Sequence, residues 1–553
     1  MDDYFNLGTY ARSVSTASED AGRWFNRGLI WCYAFCHEEA LRCFDKAIDH
    51  DPGFAMAHWG IAYAAGPYYN KQWVRFEALE LAETITRTYA ASRQALALED
   101  GASEVERALI EALALRFQAA EPVDDLDAWN DDYADAMRKV HAAFRDDPDV
   151  CTLFVDALMN RTPWAMWDLA TGKPGKGADT LEAVAAVESK IADMAAAGEA
   201  PHPGLLHYHI HLLEMSPNPE RALRSADALR GLVPDAGHIN HMPTHIDAQC
   251  GHYQTVVESN NAAIAAESLY VAQHGLINFQ AMSRAHSFHF KMYGAMMLGQ
   301  IGPAMEAARD MLTTLPEELL RMENPCMADW LEGYLAMQVH PPIRFGKWHD
   351  ILDRPLPDDR ELYCSVTAFA HYARTLAHAV LGDVDAAEEE FEVFHQAVAA
   401  VPMSRMVFNN TVRDTLEIAT AMAHGELTYR KGDFDTAFDH LREAVRLSDN
   451  LPYDEPWGWM QPARHALGAL LLEQGELEEA EAVYRADLGL DESLMRCCHH
   501  PENVWALHGF HESLVRQGKS AEAQLVAPRL TLALARTDVP ITASCLCRLE
   551  CCA

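Results

Sequence analysis

Three pairs of histidines are the residues of this chain best spaced for chemistry. His207 and His211 stand four residues apart with Glu214 three further on, His241 and His245 are again four apart, and His286 and His289 are three apart. On an α-helix each such spacing puts both rings of a pair on one face, with Glu214 beside the first. Eleven of the 27 histidines fall within residues 202–289, where even spreading would place about four. Imidazole is a ligand of choice for Zn, Fe, Cu and Ni, so six imidazoles and a carboxylate meeting in one pocket would suit a transition metal ion, with Zn, Fe or Cu expected. Six exceed one tetrahedral site. Either two ions lie close together or a coordination position stays open for a substrate. His209 lies two residues from each neighbour and points elsewhere, as a supporting or structural residue. Histidines packed on helices also serve as core residues that ligate nothing, so a non-catalytic interaction scaffold stays open beside small-molecule or peptide chemistry.

The metallopeptidase motif HEXXH is absent: Tyr-His-Ile separates His207 from His211 and Met-Pro-Thr separates His241 from His245. Pro243 is tolerated only in the first turn of a helix, so His241 is expected to precede that helix, which weakens the pair's convergence. A second candidate for metal or redox chemistry is Cys497-Cys498-His499-His500 with Cys545, Cys547 and the terminal Cys551-Cys552; its spacing fits no zinc-finger form, and an incidental Cys-rich tail is the alternative. Asn160, Arg161, Trp164 and Trp167, and the run from Pro67 to Trp73, could line a substrate groove or anchor loops. The Gly-Lys-rich stretch 171–177 is no phosphate loop, because the GxxxxGK[ST] spacing and a preceding strand are both missing.

The elements that must position these residues are helices. Ala, Leu, Glu and Arg recur along the chain and β-branched runs are nearly absent. Residues 21–54 match the tetratricopeptide pattern of two packed helices: Trp24, Gly28 and Trp31 on the first, Ala40, Phe44 and Ala47 on the second, and Pro52 at the end. Weaker copies follow at Ala222, Ala226 and Pro234, at Gly425, Ala437, Leu441 and Ala444, at Gly468, Ala480 and Tyr484, and at Trp505, Gly509 and Ala521. Glycines at 382, 432, 475 and 518, each before a polar residue, read as helix ends leading into short turns. Aligned on Ala222, Thr255 and Ala304, all three histidine pairs fall on first helices, the helices that line the concave side of such arrays.

The expected fold is all-α, a right-handed α-solenoid of about ten or more hairpins. Residues 1–340 would hold the N-terminal hairpins with the His-rich segment 202–289, residues 360–535 the C-terminal hairpins, and 536–553 a Cys-rich tail. The pattern lapses at 160–205 and again at 340–360, where prolines cluster. At the histidine segments HINHMPTHID and RAHSFHFKMYG, and in FNRGLIWCYAFCHEEALRCFDKAI, MAHWGIAYAAGP and HPGLLHYHIHLLE, the sequence resembles the tetratricopeptide repeat protein 38 family and its bacterial relatives. The resemblance implies a tetratricopeptide-like solenoid with His241, His245, His286 and His289 as its marked residues. It implies no reaction.

A formal net charge of -38, from 82 acidic against 44 basic residues, argues against nucleic acid and anionic membrane as partners, since phosphates would be repelled. The expected partner is a peptide, protein or small molecule in the concave groove. With no apolar leader and no long apolar run, the expectation is a cytoplasmic protein.

Overall fold

The computed structural model describes residues 4–548. The structure is 67% helix, twice the roughly one-third of an average globular protein, and among the described residues strand is confined to two short hairpins, Trp167–Asp168 with Lys173–Pro174 and Met406–Val407 with Asn410–Thr411. The described residues divide into two compact units, Met1–Ile246 with Ala265–Leu269, and Asp247–Ile264 with Tyr270–Ala553. The division falls near residue 246. The proline-rich stretch 340–360 lies inside the second unit and forms the short helices His340–Arg344 and Trp348–Asp353, with prolines in the first turn of the former, where a missing N–H leaves no bond unmade.

The first unit is a series of antiparallel helical hairpins that begins with Glu19–Tyr33 against His37–His50, and Ala55–Ala65 against Ala78–Ala97. Phe44 explains the repeat spacing. A Cβ on Gly28, from the partner helix, would lie 2.6 Å from the Phe44 ring, and one on Gly60, from the next hairpin, 2.5 Å from it. The wholly buried ring therefore fills a slot that two glycines on successive hairpins keep open. Truncating such an aromatic typically costs about 3–5 kcal/mol.

The second unit repeats the device. Tyr484, on Leu477–Asp487, sits against Gly468 of Ala463–Gln474 and Gly509 of Val504–Arg516, with no room for a methyl group at either. These are tetratricopeptide-like hairpins. Gly382, Gly432, Gly475 and Gly518 all have positive φ, as the helix-end reading requires, and Asp383 and Asp433 then accept a backbone N–H of the following helix as its N-cap.

The lapse expected over 160–205 is shorter than the sequence suggested. The loop and hairpin end at Asp179, and Thr180–Ala197 is a helix packed on Pro148–Met159. Among the described residues no helix is long and apolar enough to cross a membrane. Cys551 and Cys552 lie outside the described residues.

Candidate metal centre

The helix Pro203–Glu214 lies in the interior of the first unit with all twelve of its residues buried. Its start is fixed by His202, whose Nδ1 accepts the Leu205 N–H (3.2 Å) while Nε2 donates to Asp149 Oδ1 (3.1 Å). Burial alone would raise the Asp149 pKa. Hydrogen bonds from His202 and Tyr10 and the nearby Arg12 guanidinium overcome it and hold the group below the usual carboxylate range. Gly204 lets the helix approach closely, since a Cβ there would stand 2.6 Å from Thr152 and 3.0 Å from Tyr33. One face then presents His207, His211 and Glu214. The short helices Gly237–His241 and Pro243–Gln249 add His238, His241 and His245.

Hydrogen bonding decides which nitrogen of each ring points inward. His207 Nδ1 lies 2.6 Å from the Tyr33 carbonyl oxygen, which can only accept. His211 Nδ1 and His245 Nδ1 lie 2.8 and 2.7 Å from Oε1 and Oε2 of Glu214. In all three rings the Nδ1 is therefore the protonated atom and Nε2 carries a lone pair. The Nε2 atoms meet: His207 with His238 at 3.1 Å, and His241 with His245 at 2.8 Å, while the buried His211 Nε2 has no hydrogen-bond partner. Two groups of possible ligand atoms, His207/His211/His238 and His211/Glu214/His245, each fit within 4.8 Å. Neighbouring ligands on an ion at about 2.1 Å would stand roughly 3.0–3.4 Å apart, which lies inside that limit.

Burial, opposed by the Tyr33 hydrogen bond, lowers the His207 pKa to about 3. Burial first, and then repulsion among the neighbouring imidazoles, pushes His211 and His238 well below the ordinary histidine value. His207, His211 and His238 are thus held neutral, the form in which imidazole ligates.

An aromatic wall stands against them. The Phe35 ring centroid is 4.6 Å from His207, 5.2 Å from His238 and 5.5 Å from His211, on which it stacks. Tyr69 lies 4.8 Å from His211, and Trp164 stacks on Tyr69 at 5.0 Å while donating its indole N–H to the Tyr69 carbonyl. Phe35 (φ 53°) and Trp164 (φ 60°) are two of four non-glycine residues with positive φ among the described residues. Each such conformation costs on the order of 1–3 kcal/mol and gathers where surrounding structure enforces it, and here both rings lie near His211.

The other sequence candidates fall as follows. The helix boundary does come between His241 and His245, at Met242, yet the two Nε2 atoms meet across it. His209 faces Ser225 (2.8 Å) and Glu188 (3.4 Å), apart from its neighbours, as its offset of two implied. His286 and His289 belong to the second unit on Gln280–Leu298: His286 stacks on Phe408, and burial lowers the His289 pKa to about 3 beside Tyr334. Of the groove candidates Asn160, Arg161 and Trp164, Trp164 lies beside His211. Asn160 is turned onto Asp156 (2.9 Å) and Arg161 onto Asp131 and Asp179. Cys497 and Cys498 are buried, Cys545 and Cys547 are joined by a disulfide, and among the described residues none of the four enters a group of three possible ligands. Sequence reasoning missed His238 and Phe35. The spacing of three between His238 and His241 was the available signal for the first; the second had none, since it lies far from the histidines in the chain.

No family model and no curated relative matches this sequence. Solved structures with some likeness include an IFIT1 monomeric mutant with Gppp-AAAA (10% identity over 95% of this chain and 92% of that one, TM-score 0.31) and yeast Tom70 (12%, 92% and 99%, TM-score 0.30). A third is the APC/C hetero-tetramer Cut9–Hcn1 (13%, 93% and 76%, TM-score 0.28).

Proposed function

We propose that this chain is a tetratricopeptide-like scaffold whose first unit holds a transition metal ion through the Nε2 atoms of His207, His211, His238, His241 and His245. The observation that carries this reading is the gathering of inward-facing Nε2 atoms, of which those of His207, His211 and His245 carry lone pairs. Three of the five rings have their Nδ1–H taken by Tyr33 O or Glu214, the arrangement by which metal-ligating histidines are commonly oriented, and five apolar-walled imidazoles without such a task would be costly to gather. Glu214 then serves by fixing two ligands at once, since both its oxygens face ring N–H groups. Zn, Fe or Cu fits an all-imidazole set. Five donors exceed a closed tetrahedron, which leaves a position for an exchangeable ligand or a second ion, and the wall of Phe35, Tyr69 and Trp164 would form its apolar side.

The second reading is a non-catalytic scaffold whose grooves bind a peptide or partner protein, favoured by the repeat fold itself, which generates long binding surfaces. The resemblance to the tetratricopeptide repeat protein 38 family at the histidine segments fits either. Element analysis by mass spectrometry on protein purified without an affinity tag separates them. Stoichiometric metal in the wild type, lost in a His211→Ala/His245→Ala variant that still folds, supports the centre; wild type without metal leaves the scaffold alone.

A further inference from the structure

The helix Ser520–Leu534 packs Ala523, Val526 and Leu530 into the core of the second unit. Its opposite face is apolar as well. Leu525 is 76% and Leu532 58% exposed, and among the described residues no other helix carries two exposed large apolar side chains. At 3.6 residues per turn, the exposed Ala521, Leu525, Pro528 and Leu532 fall in one stripe, with Gln524 and Thr531 along one edge. The stripe itself holds no charge. Glu522 and Arg529, on its other edge, are turned onto Arg485 and Glu502 of the same unit. The helix Phe434–Asp449 instead shows solvent Asp435, Asp439, Arg442 and Arg446, the usual pattern of an outer helix face. The chain beyond Leu534 leaves the stripe open: Asp538 accepts the N–H groups of Ile301 and Gly302 (2.7 and 2.8 Å), Ser544 Oγ lies 2.5 Å from Tyr484 Oη, and Arg548 donates to Glu512 (2.8 Å).

We propose that this stripe pairs with the same stripe of a second copy of the chain, the two helices antiparallel about a two-fold axis, with Leu525 of each copy against Leu532 of the other. Three observations select that occupant. The stripe is a helix ridge, so its complement is another helix surface rather than a small molecule. It carries no charge, so a charged partner surface would be desolvated against it without a counter-ion, and its match must be uncharged and apolar too. This chain supplies such a match, and a two-fold axis between residues 528 and 529 brings 525 to 532 and 532 to 525 at once, which is what an isologous contact requires. With 82 acidic against 44 basic residues two copies repel each other over most of their surface, and an uncharged stripe is where they can meet. The inference is independent of the histidine cluster.

Sedimentation velocity on the full chain tests it. One pair of helix faces is at the small end of specific interfaces, so the protein should pass from monomer to dimer with a dissociation constant of about 1–100 μM, measured over roughly 1–500 μM. Raising salt from about 0.05 to 0.5 M should tighten the dimer, because it screens the repulsion between two acidic chains and leaves the apolar contact in place. Leu525→Glu/Leu532→Glu should weaken association at least about a hundredfold, with circular dichroism and melting unchanged because both side chains are exposed. Val74→Glu/Leu79→Glu, which charges the two exposed apolar residues of the first unit at 84% and 75% exposure, should leave the dimer as in wild type. A monomer throughout that range, a dimer that weakens as salt rises, a dimer unchanged by Leu525→Glu/Leu532→Glu, or one equally lost in Val74→Glu/Leu79→Glu would overturn the proposal.

Discussion

Each unit buries a carboxylate between two histidines, and the two arrangements end differently. In the second unit Asp487 takes His465 Nε2 (2.9 Å), His500 Nδ1 (2.9 Å) and Asn503 Nδ2 (3.0 Å), while Arg344 Nη1 donates to His465 Nδ1 (3.0 Å). Both nitrogens of His465 are therefore occupied, one as donor and one as acceptor, and no lone pair remains for an ion. In the first unit Glu214 takes Nδ1–H from His211 and His245, so their opposite nitrogens turn toward three more imidazoles. Residue types and burial are alike in the two clusters. A guanidinium behind the ring closes the Asp487 network, and other imidazoles in that place leave the Glu214 cluster able to coordinate.

The largest expected difference is in metal content. His211→Ala/His245→Ala should abolish it, whereas His465→Ala/His500→Ala should leave it unchanged by mass spectrometry; metal loss in the second variant would erase the distinction. Next in size is stability. Asp487→Ala leaves buried donors without their acceptor and should destabilise the fold by about 3–5 kcal/mol in denaturant titration, with metal stoichiometry intact.

Glu214→Gln should have a smaller and different effect. The amide cannot accept through both of its terminal atoms, so one ligand ring loses its orientation and metal affinity should fall about 10–100-fold in chelator competition, with the ion still bound at high concentration. If affinity falls as far as in a ligand deletion, Glu214 is itself a ligand.

The smallest effect is the pH slope that the Asp487 cluster contributes. Burial, partly offset by Asp487, lowers the His465 pKa to about 4 in the fold, against about 6.5 when unfolded. Its contribution is fully present above about pH 6.5 and is lost as pH falls toward 4, at up to about 1.4 kcal/mol per unit. Asp487 acts in the same sense at lower pH, because His465 and His500 overcome the effect of burial and hold it below the carboxylate range. Chemical denaturation between pH 7 and 4.5 should show a flatter slope in His465→Gln than in wild type.

Local spacing by itself determined the helical hairpins and where their helices touch. Gly28 with Phe44 and Gly468 with Tyr484 are repeat positions readable from the chain, because a glycine opposite an aromatic is a steric requirement that recurs at a fixed offset. The pairing of His207, His211 and Glu214 on one face was legible for the same reason, since 3.6 residues per turn fixes it. The sequence could not say which ring nitrogen faces the interior. That depends on the Tyr33 carbonyl, 174 residues away from His207, and on Glu214 reaching His245 across 31 residues. Nor did it show Asn160 and Arg161 turned onto carboxylates, or His238 brought against His207. Helical period orders neighbours along one helix, whereas tautomer, partner and ligand set are decided by atoms that only the packing of distant hairpins brings within 3 Å.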